Sequence, residues 1–178
     1  RLVEKKGLKY GIEAFAKLKE DHPELEYEII GKGPLKEELE QKASKLGVRE
    51  DVKFQGHVSD EKLVQSLEEA KIFLLPCIIA ENGDRDAMPM VLKEAMALET
   101  PCISTKVSAI PELIENKEDG IIIQPKNPDE IEKAASEFLD SEEERREIGE
   151  NARQKIIQDY DISKNAQKVE ESFRKTIN

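Results

Sequence analysis

Two acids, Asp86 and Glu94, stand eight positions apart, about two helical turns if both were helical, around the run Asp-Ala-Met-Pro-Met-Val-Leu-Lys-Glu-Ala-Met-Ala. A loop of turn formers and charge, Glu81-Asn82-Gly83-Asp84-Arg85-Asp86, leads into it, and Met90 to Leu98 then reads as a strong helix. Pro89 suits the first turn of that helix, where its missing N–H would be unpaired anyway. A helix start with free N–H groups and a positive dipole end receives anions, and a nucleotide diphosphate is one such anion. The same residues also fit an ordinary capped helix behind a solvated acidic loop.

An anionic ligand needs local positive charge, because the 178-residue chain carries a net charge of −11. Arg1, Lys5, Lys6, Lys9, Lys32 and Lys36 supply a cluster near the start. The overall acidity argues against nucleic acid as a partner. Hydrophobic and charged residues each make up 38%, which describes a chain able to bury a core under a heavily charged surface. The Lys/Glu richness without Trp is a compositional hint of a thermophilic source. No apolar run reaches membrane-helix length and no secretory signal is visible. The chain opens on Arg rather than Met, as a fragment of a longer protein would. Two cysteines, Cys77 and Cys102, are too few for a disulfide framework, and free thiols in a reducing compartment are expected.

The elements that must position these groups alternate. A helix is expected over Leu8–Glu20, with Ile12, Phe15, Ala16 and Leu18 on its apolar face, and a strand over Leu25–Ile30. Gly31-Lys32-Gly33-Pro34 follows, then a helix over Pro34–Leu46. Glycine there permits close backbone approach to a nucleotide, and it equally serves a tight turn. Short strands are expected at Val52–Gln55, Lys71–Leu75, Pro101–Thr105 and Ile121–Ile123. Ser59, Ser108, Asn127 and Ser141 are candidate helix caps, with Lys62 giving Ser59 only half a capping box. A last amphipathic helix is expected over Ile162–Ile177. Such alternation implies an α/β fold, a Rossmann-like doubly wound parallel sheet, with ligands beyond the carboxyl ends of its strands. The loops at Gly31–Pro34, Gly56–Val58, Cys77–Met90 and Thr105–Glu112 all fall at that end. Cys77 and Cys102 fall at opposite ends, too far apart to bridge.

In order along the chain stand Arg-Leu-Val-x-x-Lys-Gly, Ile-Ile-Gly-x-Gly-Pro-Leu, Phe-x-Gly-His-Val, Leu-Leu-Pro, Pro-x-Val-Leu-x-Glu-Ala-Met-Ala and Ile-Pro-Glu-Leu-Ile. This succession, from Arg1 to about Asp161, resembles the C-terminal, donor-binding domain of retaining glycosyltransferases of GT-B architecture, in the group 1 family with its sucrose-synthase-like and mannosyltransferase-like members. The resemblance implies transfer of a sugar from a UDP- or GDP-sugar to a glycan or lipid-linked acceptor. It gives Arg1 and Lys6 the donor diphosphate and its leaving group, and lets Gly31 and Gly33 approach the nucleotide. It sets His57 and Val58 beside the base, Asp86 against the sugar and Glu94 on the ribose. It aims backbone N–H groups of Met88, Pro89, Met90 and Val91 at the phosphates, although Pro89 itself has none to offer. It implies no metal, and Asp84-Arg85-Asp86 has the Asp-x-Asp spacing by chance.

The resemblance divides the chain into a donor-binding domain, 1–161, and a C-terminal helix, 162–178, that would pack toward an N-terminal acceptor domain, its apolar face otherwise open to dimer contacts. Without that domain the chain is expected to bind donor but not turn over. A cytoplasmic location follows, at the inner membrane surface if the full-length protein associates peripherally. Three departures stand out: Asp86 where Glu is usual, Ala87 where Gly is usual, and Ser108-Ala109 where Gly-Gly is frequent. The resemblance also expects a central strand immediately before Arg1, between the strands at Leu25–Ile30 and Lys71–Leu75. Two alternatives remain: a nucleotide-binding module that has lost catalysis, and a GT-B nucleotide-sugar epimerase, for which His22 and His57 are the histidines at hand.

Overall fold

In the computed structural model, which describes residues 1–162 and 164–166, helices and strands alternate along the chain. They are α1 (Leu8–Asp21), β1 (Tyr27–Ile30), α2 (Lys36–Lys45), β2 (Val52–Gly56), α3 (Asp60–Glu69) and β3 (Phe73–Leu75), then α4 (Met90–Ala97), β4 (Cys102–Thr105), α5 (Ile110–Leu113), β5 (Ile121–Ile123), α6 (Pro128–Asp140) and α7 (Glu142–Asp159). Most of the expected helix over Ile162–Ile177 lies outside the described residues.

The strand pairs are parallel. β3 aligns Phe73 with Cys102, and β4 aligns Ile103 with Ile121. Successive residues of β4 face opposite sides, as a pleated strand requires. Cys102 enters the core formed with Leu92, Ala95, Met96 and Leu113. Ile103 enters the core of Ala14, Leu18, Ile131 and Phe138. Helices therefore cover both faces, and all four residues of β4 are buried. Buried polar groups tie the strand ends: Ser104 Oγ donates to Leu75 O (2.8 Å) and Thr105 Oγ1 donates to Cys77 O (2.5 Å).

The parallel strands form two sets, divided where the resemblance places a further strand. β1 pairs with β2 alone, and β3, β4 and β5 form a separate set. Helix α1 straddles the two, with Ala14 and Leu18 in the core of the three-stranded half and Ile12 and Phe15 in that of the other, beside Leu2, Ile29 and Val52. Between β1 and β3 runs a groove of about 850 Å³ lined by both strands, by Gly11, Phe15 and Leu18 of α1, and by Leu63 and Ser66 of α3. Alternate residues of a parallel strand bond to the same side. The N–H groups of Tyr27 and Gly31 bond toward β2, so Glu28 and Ile30 direct theirs into the groove. The Phe73 N–H bonds to Pro101 O, so Ile72 and Leu74 face the groove likewise. Direct pairing of β1 with β3 would have contradicted an intervening strand, and the two are not paired.

Boundaries differ locally. β1 begins at Tyr27, not Leu25, because the Leu25 N–H closes a turn onto His22 O (3.2 Å). Pro89 is the N-cap of α4 rather than part of its first turn. Ser108 does not cap α5. Ala109 occupies that position without a side-chain bond, and Ser108 adopts a left-handed φ of 50°. Ser59, Asn127 and Ser141 do cap their helices, each accepting the N–H three residues on.

Candidate functional site

The loops at the carboxyl ends of the strands interlock into one rim. After β1, the Gly31 N–H donates to Gly56 O at the end of β2 (2.6 Å), and the Leu2 N–H donates to Lys32 O (2.9 Å). A 3₁₀ turn at Glu4–Lys6, ended by Gly7 at φ 64°, carries the chain across to the loop after β3. A side chain on Gly7 would collide with the Pro76 carbonyl oxygen, so only glycine fits there. The Ile78 N–H donates to Lys5 O (2.9 Å), and the Glu81 N–H to Glu4 Oε1 (3.1 Å). Beyond β4, the Ala109 N–H donates to Ala87 O (3.1 Å).

At the centre of this rim Asp86 meets two cations. Lys6 Nζ lies 2.5 Å from Oδ2 and Lys5 Nζ 3.3 Å from Oδ1. Lys5 also holds Asp84 at 3.1 Å. Burial pushes the Asp86 carboxyl up, but the hydrogen bonds and charges of Lys6 and then Lys5 outweigh it and hold the group below its ordinary value. The Cys77 thiol, 3.9 Å from Asp86 Oδ2, is pushed up to about 12, chiefly by burial, and stays a neutral thiol. Cys102 is buried and free as well.

Arg1, Lys6, Val91 and Glu94 border the groove together. Among the described residues Glu94 has no side-chain hydrogen bond or ion pair, and it is exposed. Met90 is also exposed at the start of α4, with Pro89 buried behind it. The Met88 side chain is half-buried against the core. His57 is exposed and Val58 half-buried at the far end of the rim, following Gly56 at φ 70°. Gly33 has a packing reason of its own, since a side chain there would strike the Leu2 backbone.

Other members of the basic cluster point elsewhere. Lys9 lies over the Tyr10 ring and Lys36 pairs with Glu40. In the sequence Lys5 reads only as local charge, and its pairing with Asp84 comes from the fold. The Lys5-Lys6 doublet ahead of Gly7 was the available signal. Ala87 is not among the residues with positive φ, so replacing a glycine there strains nothing, whereas Ser108 sits where glycine is cheapest. No helix among the described residues is long and apolar enough to cross a membrane.

The profile of the glycosyl transferases group 1 family matches residues 1–155. The chain belongs to that family. As a group 1 domain it is 42% identical over 120 residues to the amylovoran biosynthesis glycosyltransferase AmsK of Erwinia amylovora, covering 67% of this chain and 30% of that protein. It is 32% identical to the putative colanic acid biosynthesis glycosyltransferase WcaL of Salmonella typhimurium, over 90% of this chain and 40% of the relative. The group 1 domain thus spans well under half the length of these two curated relatives. Its fold matches the crystallised C-terminal domain of a group 1 glycosyl transferase, LpcC of Francisella tularensis, with TM-score 0.78 and 26% identity over 91% of this chain and 83% of that one. HepE of Anabaena, solved in complex with UDP, shares the fold at TM-score 0.86 and 22% identity, over 98% of this chain and 47% of that one. The domain is therefore the C-terminal unit of a GT-B fold.

Proposed function

We propose that this domain binds a nucleotide diphosphate sugar and serves as the donor half of a retaining hexosyltransferase that acts on a glycan or lipid-linked acceptor. The carrying observation is the meeting of Lys6 and Asp86 on one rim with Arg1, Glu94 and the start of α4. In this reading Arg1 and Lys6 hold the diphosphate. As the glycosidic bond breaks, negative charge builds on that leaving group, and two cations on it stabilise the transition state more than the ground state. The Met90 and Val91 N–H groups, at the positive end of α4, add to that field. Asp86 faces the sugar, Glu94 accepts from the ribose hydroxyls, Gly31 and Gly33 allow the chain to pass the nucleotide, and His57 and Val58 flank the base.

UDP is the first nucleotide to test, because HepE was solved with it. A GDP-mannose-dependent mannosyltransferase of Mycolicibacterium smegmatis, 31% identical over 78% of this chain, makes GDP the second. No step assigned to these residues requires a metal. In the whole protein a strand before Arg1 lies in the groove between β1 and β3, and the C-terminal helix packs toward an acceptor domain. By itself the domain binds donor without turnover. The full-length protein is cytoplasmic and able to sit at the inner membrane surface.

Thermal stability against UDP, GDP, ADP and their sugars tests the reading. Ligand at a thousand times its Kd raises stability by about 4 kcal/mol. A shift for one base, lost in Glu94→Ala, supports the donor site. No shift for any ligand, on protein that includes the upstream strand, overturns it.

A further inference from the structure

Asp86 has two carboxylate oxygens and two lysines, and the lysines are not equivalent. Lys6 approaches Oδ2 at 2.5 Å, and Asp86 is its one carboxylate partner among the described residues. Lys5 approaches Oδ1 at 3.3 Å while also holding Asp84 Oδ1 at 3.1 Å. Its backbone is pinned, because Lys5 O accepts from the Ile78 N–H. Asp84 is pinned as well, its N–H donating to Asn82 Oδ1 (2.9 Å) and its carbonyl accepting from the Ala80 N–H (2.9 Å). Lys5 is thus shared between two carboxylates, whereas Lys6 has Asp86 alone among the described residues.

We propose that Lys5 is a positioning residue of the donor site, keeping Asp86 paired and in place when Lys6 turns from that carboxylate to the donor diphosphate. This rests on the donor-site reading above. The charge count requires such a partner. Within the cluster of Lys5, Lys6, Asp84 and Asp86 two ammonium groups balance two carboxylates, and a diphosphate recruits Lys6. Asp86, whose side chain is only 18% exposed, would then be a half-buried charge with no counter-ion, which is costly. The other group against Asp86 is the Cys77 thiol, which is neutral. With Lys5 in place, Asp86 stays ionised and aimed while Lys6 departs. Without Lys5, Asp86 holds Lys6 and competes with the diphosphate for it.

A double-mutant cycle on UDP binding by the full-length protein reads this directly. Lys5→Met should weaken UDP binding about tenfold, a common size for coupled neighbours. Asp86→Asn should bind at least as tightly as wild type, and the double variant within about twofold of Asp86→Asn alone. Lys5→Arg should restore most of the affinity. A merely structural defect would not be repaired by removing the carboxylate. If Lys5→Met costs the same with and without Asp86, Lys5 touches the nucleotide or only supports the fold, and the proposal is overturned. In the ligand-free protein, the Asp86 carboxyl followed by ¹³C NMR should titrate higher in Lys5→Met than in wild type; an unchanged midpoint overturns the proposal too. Wild-type protein that binds no nucleoside diphosphate overturns the donor reading and this role together, whereas binding with a flat cycle overturns the role alone.

Discussion

The two halves of the sheet differ in completeness. In the three-stranded half, β4 lies between neighbours, is buried along its whole length, and has helices on both faces. In the two-stranded half, β1 has one partner, Glu28 is exposed, and the groove runs along its free edge. A two-strand ribbon is marginal by itself. This one is held by α2 and by the side of α1 that carries Ile12 and Phe15. The candidate site draws on both: Asp86, Glu94 and α4 from the complete half, Gly31, Gly33, His57 and Val58 from the incomplete one. The segment Arg1–Lys6 joins them across the mouth of the groove. The chemistry is therefore only as well ordered as the weaker half and the seam.

The largest test of that contrast is to fill the groove. Adding an apolar strand before Arg1 should pair with Glu28 and Ile30 on one side and Ile72 and Leu74 on the other, and bury the groove's apolar lining. A gain on the order of 5 kcal/mol is expected from a few buried apolar side chains, read as a higher urea midpoint with a larger m-value. An unchanged midpoint would mean the halves need no strand between them.

Breaking the seam comes next. Gly7→Ala adds a side chain against the Pro76 carbonyl at a positive φ and should cost about 3 kcal/mol. Because the turn carrying Lys5 and Lys6 ends at Gly7, nucleotide binding should fall with stability. Gly33→Ala strikes the Leu2 backbone and should cost about 2 kcal/mol, with the added exchange of backbone amides concentrated in β1 and β2. Equal exchange in β4 would contradict the contrast.

A smaller effect is pH dependence in the complete half. The folded Asp86 carboxyl lies below its unfolded value of about 3.9. Its contribution is thus fully present above that value and disappears as pH falls through the folded one. Asp86→Asn should flatten the acid limb of a stability–pH curve. The smallest effect separates two departures from the family pattern. Ser108→Gly relieves a left-handed residue and should gain up to about 1 kcal/mol, while Ala87→Gly, at ordinary φ, should lose about half that.

Much of this was legible in the chain. Strand-to-helix alternation, the caps at Ser59, Asn127 and Ser141, and the placing of Cys77 and Cys102 at opposite ends of neighbouring strands all rest on local chemistry. So does the convergence of the glycine turn and the loop carrying Asp86 at one edge, which follows once parallel strands are granted, whereas Lys6 joins them only through the family resemblance. The 3₁₀ turn at Glu4–Lys6 was illegible because three residues carry no periodicity. The position of Lys5 was illegible because it depends on a loop 79 residues away. Ser108 misled because serine before a short helix has the residue type of a cap, and only φ tells that it is not one. The division of the sheet between β1 and β3 follows from the resemblance, which places a further strand there, and not from the sequence of any single strand.

The most direct test of a site shared by both halves is hydrogen exchange with and without saturating nucleotide. UDP, or whichever base binds, should slow exchange at Gly31–Gly33 and His57–Val58 as well as at Met90–Val91, and at Lys5 and Lys6 between them. Protection confined to the start of α4, with β1 and β2 unchanged, would contradict a shared site.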